Sequence, residues 1–214
     1  MSGAATAGAI ALVAYLLWPT WQSRAARAPE VLPIAIGNTV FNVPAKAIRR
    51  KVQRRSGPQE RVDLDFTYPS LDPPEPIHRT AAAAPEEATP QIDLIFLSIV
   101  AHHGATSPAE RSATIYPRYL SETSETDDDL TVRAFREGTP YASEDLVVAD
   151  GAASLVARCT RDASTPGMCL SERRIDDADL TFRFPRAWLA QWRDVAAALD
   201  QLTARLRSHH YRES

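Results

Sequence analysis

The chain has 214 residues, 44% hydrophobic and 24% charged, with a formal net charge of −3. That is enough for one domain of ordinary size with a real core, and it speaks against wholesale nucleic-acid binding, which calls for a basic surface. Sixteen prolines, several of them clustered, predict linkers.

The first segment differs from the rest. Gly3 to Trp18 carries no charge, and Pro19, Thr20 and Trp21 close the run before Arg24. As a helix it spans about 24 Å at ~1.5 Å per residue, short of a ~30 Å bilayer core, but Thr20 and Trp21 extend it. Trp18 and Trp21 suit the headgroup zone. The expectation is an uncleaved single-pass anchor over 1–21 and a tether over 22–30. A cleaved signal peptide ending at Ala26-Arg27-Ala28 is the alternative. No lysine or arginine precedes the apolar run, and that site lies ten residues beyond Trp18, both of which oppose it.

Orientation is contested by two signals. Arg24 and Arg27 follow the helix, which by the positive-inside rule favours a cytoplasmic body. Cys159 and Cys169, the only cysteines, bracket the turn-rich loop TRDASTPGM between two strand-like runs. A lone pair closing such a loop reads as a disulfide, which needs an oxidising compartment. The expectation is therefore an inner-membrane protein with its C-terminal domain in the periplasm. Two cysteines with no nearby histidine leave a zinc site incomplete.

After the tether, two apolar runs flank Gly37-Asn38 within 31–44, a hairpin signal that Pro44 ends. AKAIRRKVQRR (45–55) has room for one or two helical turns before the turn at Ser56-Gly57-Pro58. RVDLDFTYP then alternates Val62, Leu64, Phe66 and Tyr68 with Asp63, Asp65 and Thr67, a strand with one wet face. Residues 69–91, rich in proline, acids and alanine, read as a loop that tolerates deletion of Ala81–Ala84. IDLIFLSIV (92–100) predicts a central strand, HHGATSPAER a loop, ATIYPRYL a short broken segment and SETSETDDD a solvated acidic turn. LTVRAFRE, EDLVVAD, SLVARC, CLSERRI and DLTFRF are further strands, and CLSERRI pairs with SLVARC as a stapled hairpin. From Pro185 onward, Trp188, Trp192, Val195, Leu199, Leu202 and Leu206 form one helical stripe. The fold class is α+β: an N-terminal transmembrane helix, then an antiparallel β-sheet domain over 31–208 closed by a C-terminal amphipathic helix, with a tail at 209–214. The same spacing also suits a coiled-coil dimer, which stays open.

Chemistry is sparse. Arg49, Arg50, Lys51, Arg54, Arg55 and Arg61 place six cations within thirteen residues. Such a knot can clasp phosphate, a lipid headgroup or an acidic partner surface. Its internal alternative is pairing of Arg54, Arg55 or Arg61 with Asp63 and Asp65. No aromatic residues interleave the arginines, so a nucleic-acid site is not supported. His102-His103 beside Ser107 invite a hydrolase or metal reading, yet adjacent loop histidines diverge, and no nucleophile elbow, Walker, dinucleotide or H-E-x-x-H pattern occurs. No catalytic residue, metal ligand or cofactor motif stands out.

VPAKAIRRKVQRRSGPQERVDLDFTYPSL, with the later ARC, CLSERR and FRFPRAWLAQW, resembles an uncharacterised family of bacterial single-pass membrane-anchored envelope proteins. The matching positions are Val43, Pro44, Ala45, Gln53, Arg54, Gly57, Gln59, Arg61, Asp63, Leu64, Tyr68 and Pro69, then the cysteine pair and Arg183 through Trp192 with Trp188 and Leu189. The resemblance covers most of 31–206. It implies membrane anchoring and a periplasmic body, and carries no activity with it. The function expected is a non-enzymatic accessory or interaction protein of the envelope, with the inner membrane and an envelope protein as partners and no nucleic acid. The alternatives are a binding module for an anionic envelope ligand, or a hydrolase using Ser107 and His102.

Overall fold

The structure, a computed structural model, describes residues 29–75, 92–150 and 154–207. The chain divides into two compact units at Glu30 and Val31, and the second is described here. No helix among the described residues is long and apolar enough to cross a membrane. The expected anchor at 1–21, nearly all of the tether, Ala81–Ala84 and the tail lie outside the described residues. Residues 69–75 have no regular structure beyond a turn.

The hairpin signal is realised as β1 (Val31–Ile36) and β2 (Thr39–Pro44). Its turn uses Gly37 at φ +58°, where a Cβ would also meet the Asp177 Cβ at 2.9 Å. Glycine is thus required twice over, by conformation and by close approach. A two-residue strand, β3 (Gly57–Pro58), pairs parallel with β1 through Ile34↔Gly57. These strands form a separate sheet of order β2-β1-β3, which the sequence reading did not distinguish from the main one.

The main sheet has eight strands: β4 (Arg61–Thr67), β5 (Leu94–Ala101), β6 (Glu125–Asp127), β7 (Leu130–Ala134), β8 (Glu144–Ala149), β9 (Leu155–Thr160), β10 (Met168–Ile175) and β11 (Ala178–Pro185). Their order is β4-β5-β11-β10-β9-β8-β7-β6, antiparallel throughout. IDLIFLSIV therefore becomes an interior strand, second from one edge. Alternation sends Leu64, Leu97, Leu180 and Phe182 to an inner face, where all are buried.

The inner face is covered by the small sheet and by the C-terminal helix α1 (Trp192–Arg207) in one contiguous core. Trp188, Trp192, Val195, Leu199, Leu202 and Leu206 are all buried within this single chain. A core-packing helix thus accounts for the stripe without a coiled-coil partner. The helix is less continuous than its spacing predicts: Pro185 ends β11, Arg186–Gln191 form 3-10 turns, and the α-helix begins at Trp192. A proline in extended backbone (φ −59°, ψ 136°) fits the strand end rather than the first helical turn.

Among the described residues, the outer face is covered over β7, β8 and β9, with one further tie to β10 where Arg111 pairs with Glu172 at 2.7 Å. HHGATSPAER and ATIYPRYL, expected as loop and broken segment, form a helical strap of Pro108–Glu110, Arg111–Ile115 and Tyr116–Arg118. Ser107 starts it, its Oγ accepting from the Glu110 N–H while Glu110 reaches back to the Ser107 N–H. Tyr116 and Leu120 pack with Phe135 and Leu146 into a second apolar cluster over β7, β8 and β9. The acidic run is not all turn, because Glu125–Asp127 add an edge strand.

Cys159 and Cys169 are bonded, and both are fully buried. The bond joins β9 to β10, which pair only at Cys169↔Cys159 and Leu170↔Arg158. Beyond that point Ser171 Oγ donates to the Val156 carbonyl at 2.9 Å, a side chain taking over a ladder position. In the loop closed by the disulfide, Gly167 is obligatory, since a Cβ would lie 2.3 Å from the Thr160 carbonyl oxygen.

Candidate functional site

The basic knot folds as two 3-10 turns, Ala45–Ala47 and Lys51–Gln53, laid along the outer edge of β4. Ile48 bridges to Leu64, and the Arg49 N–H donates to the Asp63 carbonyl at 3.0 Å, so that sheet edge is capped. Buried glutamines hold the turn. Gln53 Nε2 donates to the Arg61 carbonyl at 3.2 Å and to Asp63 Oδ2 at 3.3 Å, and its Oε1 accepts from the Asp63 N–H. Gln59 Nε2 donates to the Gln53 and Arg55 carbonyls at 3.1 and 2.7 Å.

The arginines divide. Arg54 is structural, donating Nε and Nη2 to the Ile48 carbonyl at 3.0 and 2.9 Å. Arg61 donates to Asp63 Oδ1 from Nε and Nη2, both at 2.8 Å. Arg49 and Arg50 stand in water and reach Asp65 and Asp63 only at 3.8 Å. Lys51 and Arg55 are exposed, with no ion pair among the described residues. Of the three arginines that could pair with the strand aspartates, Arg61 does so; the Ile48 carbonyl takes Arg54, and Arg55 has no ion pair among the described residues.

Nor is the aspartate face uniformly wet. Asp63 is buried, and Asp65 is largely so. Burial raises the Asp63 carboxyl, but hydrogen bonds from Arg61, Ser98 and Gln53 outweigh it and hold the group below the usual carboxylate range. Asp65 goes the other way. Its burial dominates, Arg49 opposes it too weakly, and Asp63 adds repulsion, so its carboxyl is raised. Its Oδ1 is buried without a hydrogen-bond partner.

Arg49 also joins the knot to the open half of the outer face, its guanidinium lying 5.3 Å from the Phe96 ring centroid. Strand register lines up Asp65, Phe96, Arg183, Leu170 and Arg158 as one cross-strand row. A cavity of about 420 Å³ opens on this row, with Arg49, Thr160, Met168 and Glu144 completing its walls. Arg158 is paired with Glu144 at 2.7 Å and lies over Tyr116 and Tyr141. Arg183 is exposed and has neither ion pair nor side-chain hydrogen bond among the described residues. A second cavity, about 550 Å³, opens between Tyr68, Trp188 and α1, but the charges on its rim are Asp93 and Asp194.

Phe96, Leu170 and Arg183 escaped the sequence reading. The local signal exists: in TFRFP, Arg183 alternates against buried Phe182 and Phe184, so it must face out. The hydrolase candidates are occupied otherwise. Ser107 caps the strap, His102 Nδ1 sits 3.4 Å from Asp179 Oδ2, and His103 meets Glu60 at 3.1 Å. Asp179 is itself held by Arg174 at 2.7 Å. No group of three or more histidine, cysteine or carboxylate side chains placed for a metal occurs among the described residues.

No family model matches the sequence, and neither does any curated protein. The fold is similar to that of Smlt3025, an immunity protein of the Stenotrophomonas maltophilia type IV secretion system. That likeness covers 84% of this chain and 94% of that one, at 16% identity and a TM-score of 0.56. A looser match is FrpD, an iron-regulated outer membrane lipoprotein of Neisseria meningitidis, with 82% and 93% coverage, 8% identity and a TM-score of 0.43. The first likeness is one of fold; the second is too slight to build on.

Proposed function

We propose that this chain is a non-enzymatic interaction protein of the bacterial envelope that acts by binding and masking a protein partner, in the manner of an immunity protein. The observation that carries the reading is the similarity of fold to Smlt3025 over 84% of this chain and 94% of that one. The buried disulfide supports an oxidising, periplasmic setting for the body, and the apolar run of Gly3 to Trp18 supports an inner-membrane anchor. Partner binding needs a recessed patch with an apolar floor and a polar rim, which the open half of the outer face supplies.

A second reading is binding of an anionic envelope ligand, a lipid headgroup or a cell-wall polymer. It is favoured by Lys51 and Arg55, cations on the exposed knot with no ion pair among the described residues. Affinity purification of the full chain from detergent-solubilised envelopes tests both. The protein-partner role predicts a stoichiometric second polypeptide. Recovery of the chain alone, together with sedimentation on anionic vesicles that Lys51→Ala abolishes, would overturn it for the ligand reading.

A further inference from the structure

We propose that the partner is held on the open half of the outer face, and that what sits there is a short acidic protein segment carrying an apolar side chain among its carboxylates. The inference deepens the partner-binding role proposed above and rests on it. Its ground is the row Phe96, Arg183, Leu170 and Arg158, where apolar and cationic side chains alternate across neighbouring strands. Phe96, Leu170 and Met168 are half-buried, so the floor already excludes part of the water and gains from complete cover. Arg183 decides the chemistry. A partner that covers the floor also covers this guanidinium, and a buried cation without a counter-charge is strongly disfavoured. The partner must therefore bring a carboxylate, for which the planar guanidinium is the matching fork.

Charge around the groove points the same way. The chain is acidic overall, at −3, yet Arg49, Arg158 and Arg183 line this groove; Glu144 is taken by Arg158 and Asp65 lies 3.8 Å from Arg49, which leaves Arg183 without a counter-charge among the described residues. A lipid surface or a polyanion fits less well. The groove is a recess beside the knot with Phe96, Met168 and Leu170 in its lining, which suits an apolar side chain flanked by carboxylates better than a flat headgroup surface or a uniformly charged polymer. Electrostatic complementarity of this kind also guides approach, so added salt should slow capture.

The test uses the full chain from solubilised envelopes, with a photoreactive residue in place of Met168 or, as a control, of exposed Ala204 on α1. The proposal expects a protein adduct at position 168 that maps to a segment with at least two carboxylates, and none at position 204. Arg183→Glu should weaken capture of that same partner by about tenfold or more, and Arg183→Ala by less. Both variants should keep the wild-type thermal midpoint, because Arg183 is exposed and has no ion pair among the described residues. A partner retained equally by Arg183→Glu, or one crosslinked only at position 204, overturns the groove while leaving the partner role standing. A lipid or polymer adduct at position 168 also overturns the proposal. Recovery of the chain with no protein partner overturns both.

Discussion

The two halves of the outer sheet face have the same alternation in sequence and opposite fates in space. Over β7, β8 and β9 the strap brings Tyr116 and Leu120 down on Phe135 and Leu146, and the face becomes core. Over β5 and β11 no described segment of the strap is laid down, its reach into this half being to β10, where Arg111 pairs with Glu172 at 2.7 Å, and Phe96, Leu170 and Arg183 stay wholly or partly at the surface. Arg158 marks the border. It stacks on Tyr116 and Tyr141 from one side and lines the open groove on the other. A sheet face thus becomes core or surface according to which connection crosses it, and the strand pattern alone does not decide.

The largest expected difference between the halves is in packing. Phe135→Ala, in the covered half, should cost about 3–5 kcal/mol in urea unfolding, while Phe96→Ala should cost about 1 kcal/mol or less. Equal losses would show that the open half is as tightly packed as the other. On the shared inner face, Leu199→Ala should cost about 2–5 kcal/mol without any change in oligomeric state. Dissociation of a dimer at unchanged stability would restore the coiled-coil alternative.

The seam between the halves comes next. Because β9 and β10 pair at only two positions, the disulfide and Ser171 carry much of that junction. Joint Cys159→Ser and Cys169→Ser replacement should cost about 2–3 kcal/mol for so short a loop. Amide exchange should quicken first in β9 and β10. Exchange that quickens uniformly would mean that the seam is no weaker than the ladders beside it.

Smaller effects separate the two aspartates at the edge of the open half. Asp63 is depressed, so its stabilisation is present above the unfolded carboxylate value of ~3.9 and is lost as pH falls through its lower folded value. Asp65 is raised, so its contribution is favourable at acid pH and is lost as pH climbs through its folded value. At pH 7, Asp63→Asn should destabilise by about 1–3 kcal/mol, and Asp65→Asn should be neutral or stabilising. Both differences should shrink toward pH 3. A loss at neutral pH from Asp65→Asn would show its carboxylate to be well paired. Smallest of all, Arg49→Ala with Arg50→Ala should change stability by about 1 kcal/mol or less, as suits exposed pairs, and yet weaken partner capture.

Much of the fold is legible in the sequence because it rests on short-range periodicity. The hairpin at Gly37-Asn38, the strands from Arg61 to Pro185 other than Glu125–Asp127, the buried stripe from Trp188 to Leu206 and the cysteine pair can all be read from spacing. What is hidden depends on register between strands distant in sequence. Phe96, Arg183, Leu170 and Arg158 adjoin only because the order runs β5-β11-β10-β9. The strap was hidden by Pro117, which suggests a break, although Ser107 and Glu110 already have the spacing of a capping box. In the basic knot the cations were visible, but the buried Gln53 and Gln59 that shape it are ordinary in a polar stretch.

Docking of a partner on the half of the face that the strap leaves open is directly measurable. Hydroxyl-radical footprinting of the chain, alone and with its co-purified envelope partner, tests it most directly. Oxidation of Met168, Phe96 and Leu170 should fall severalfold in the complex, while Tyr68 and Trp188 on the acidic-rimmed cavity should be unchanged. Protection of Tyr68 and Trp188 with Met168 and Phe96 still open to oxidation would contradict it.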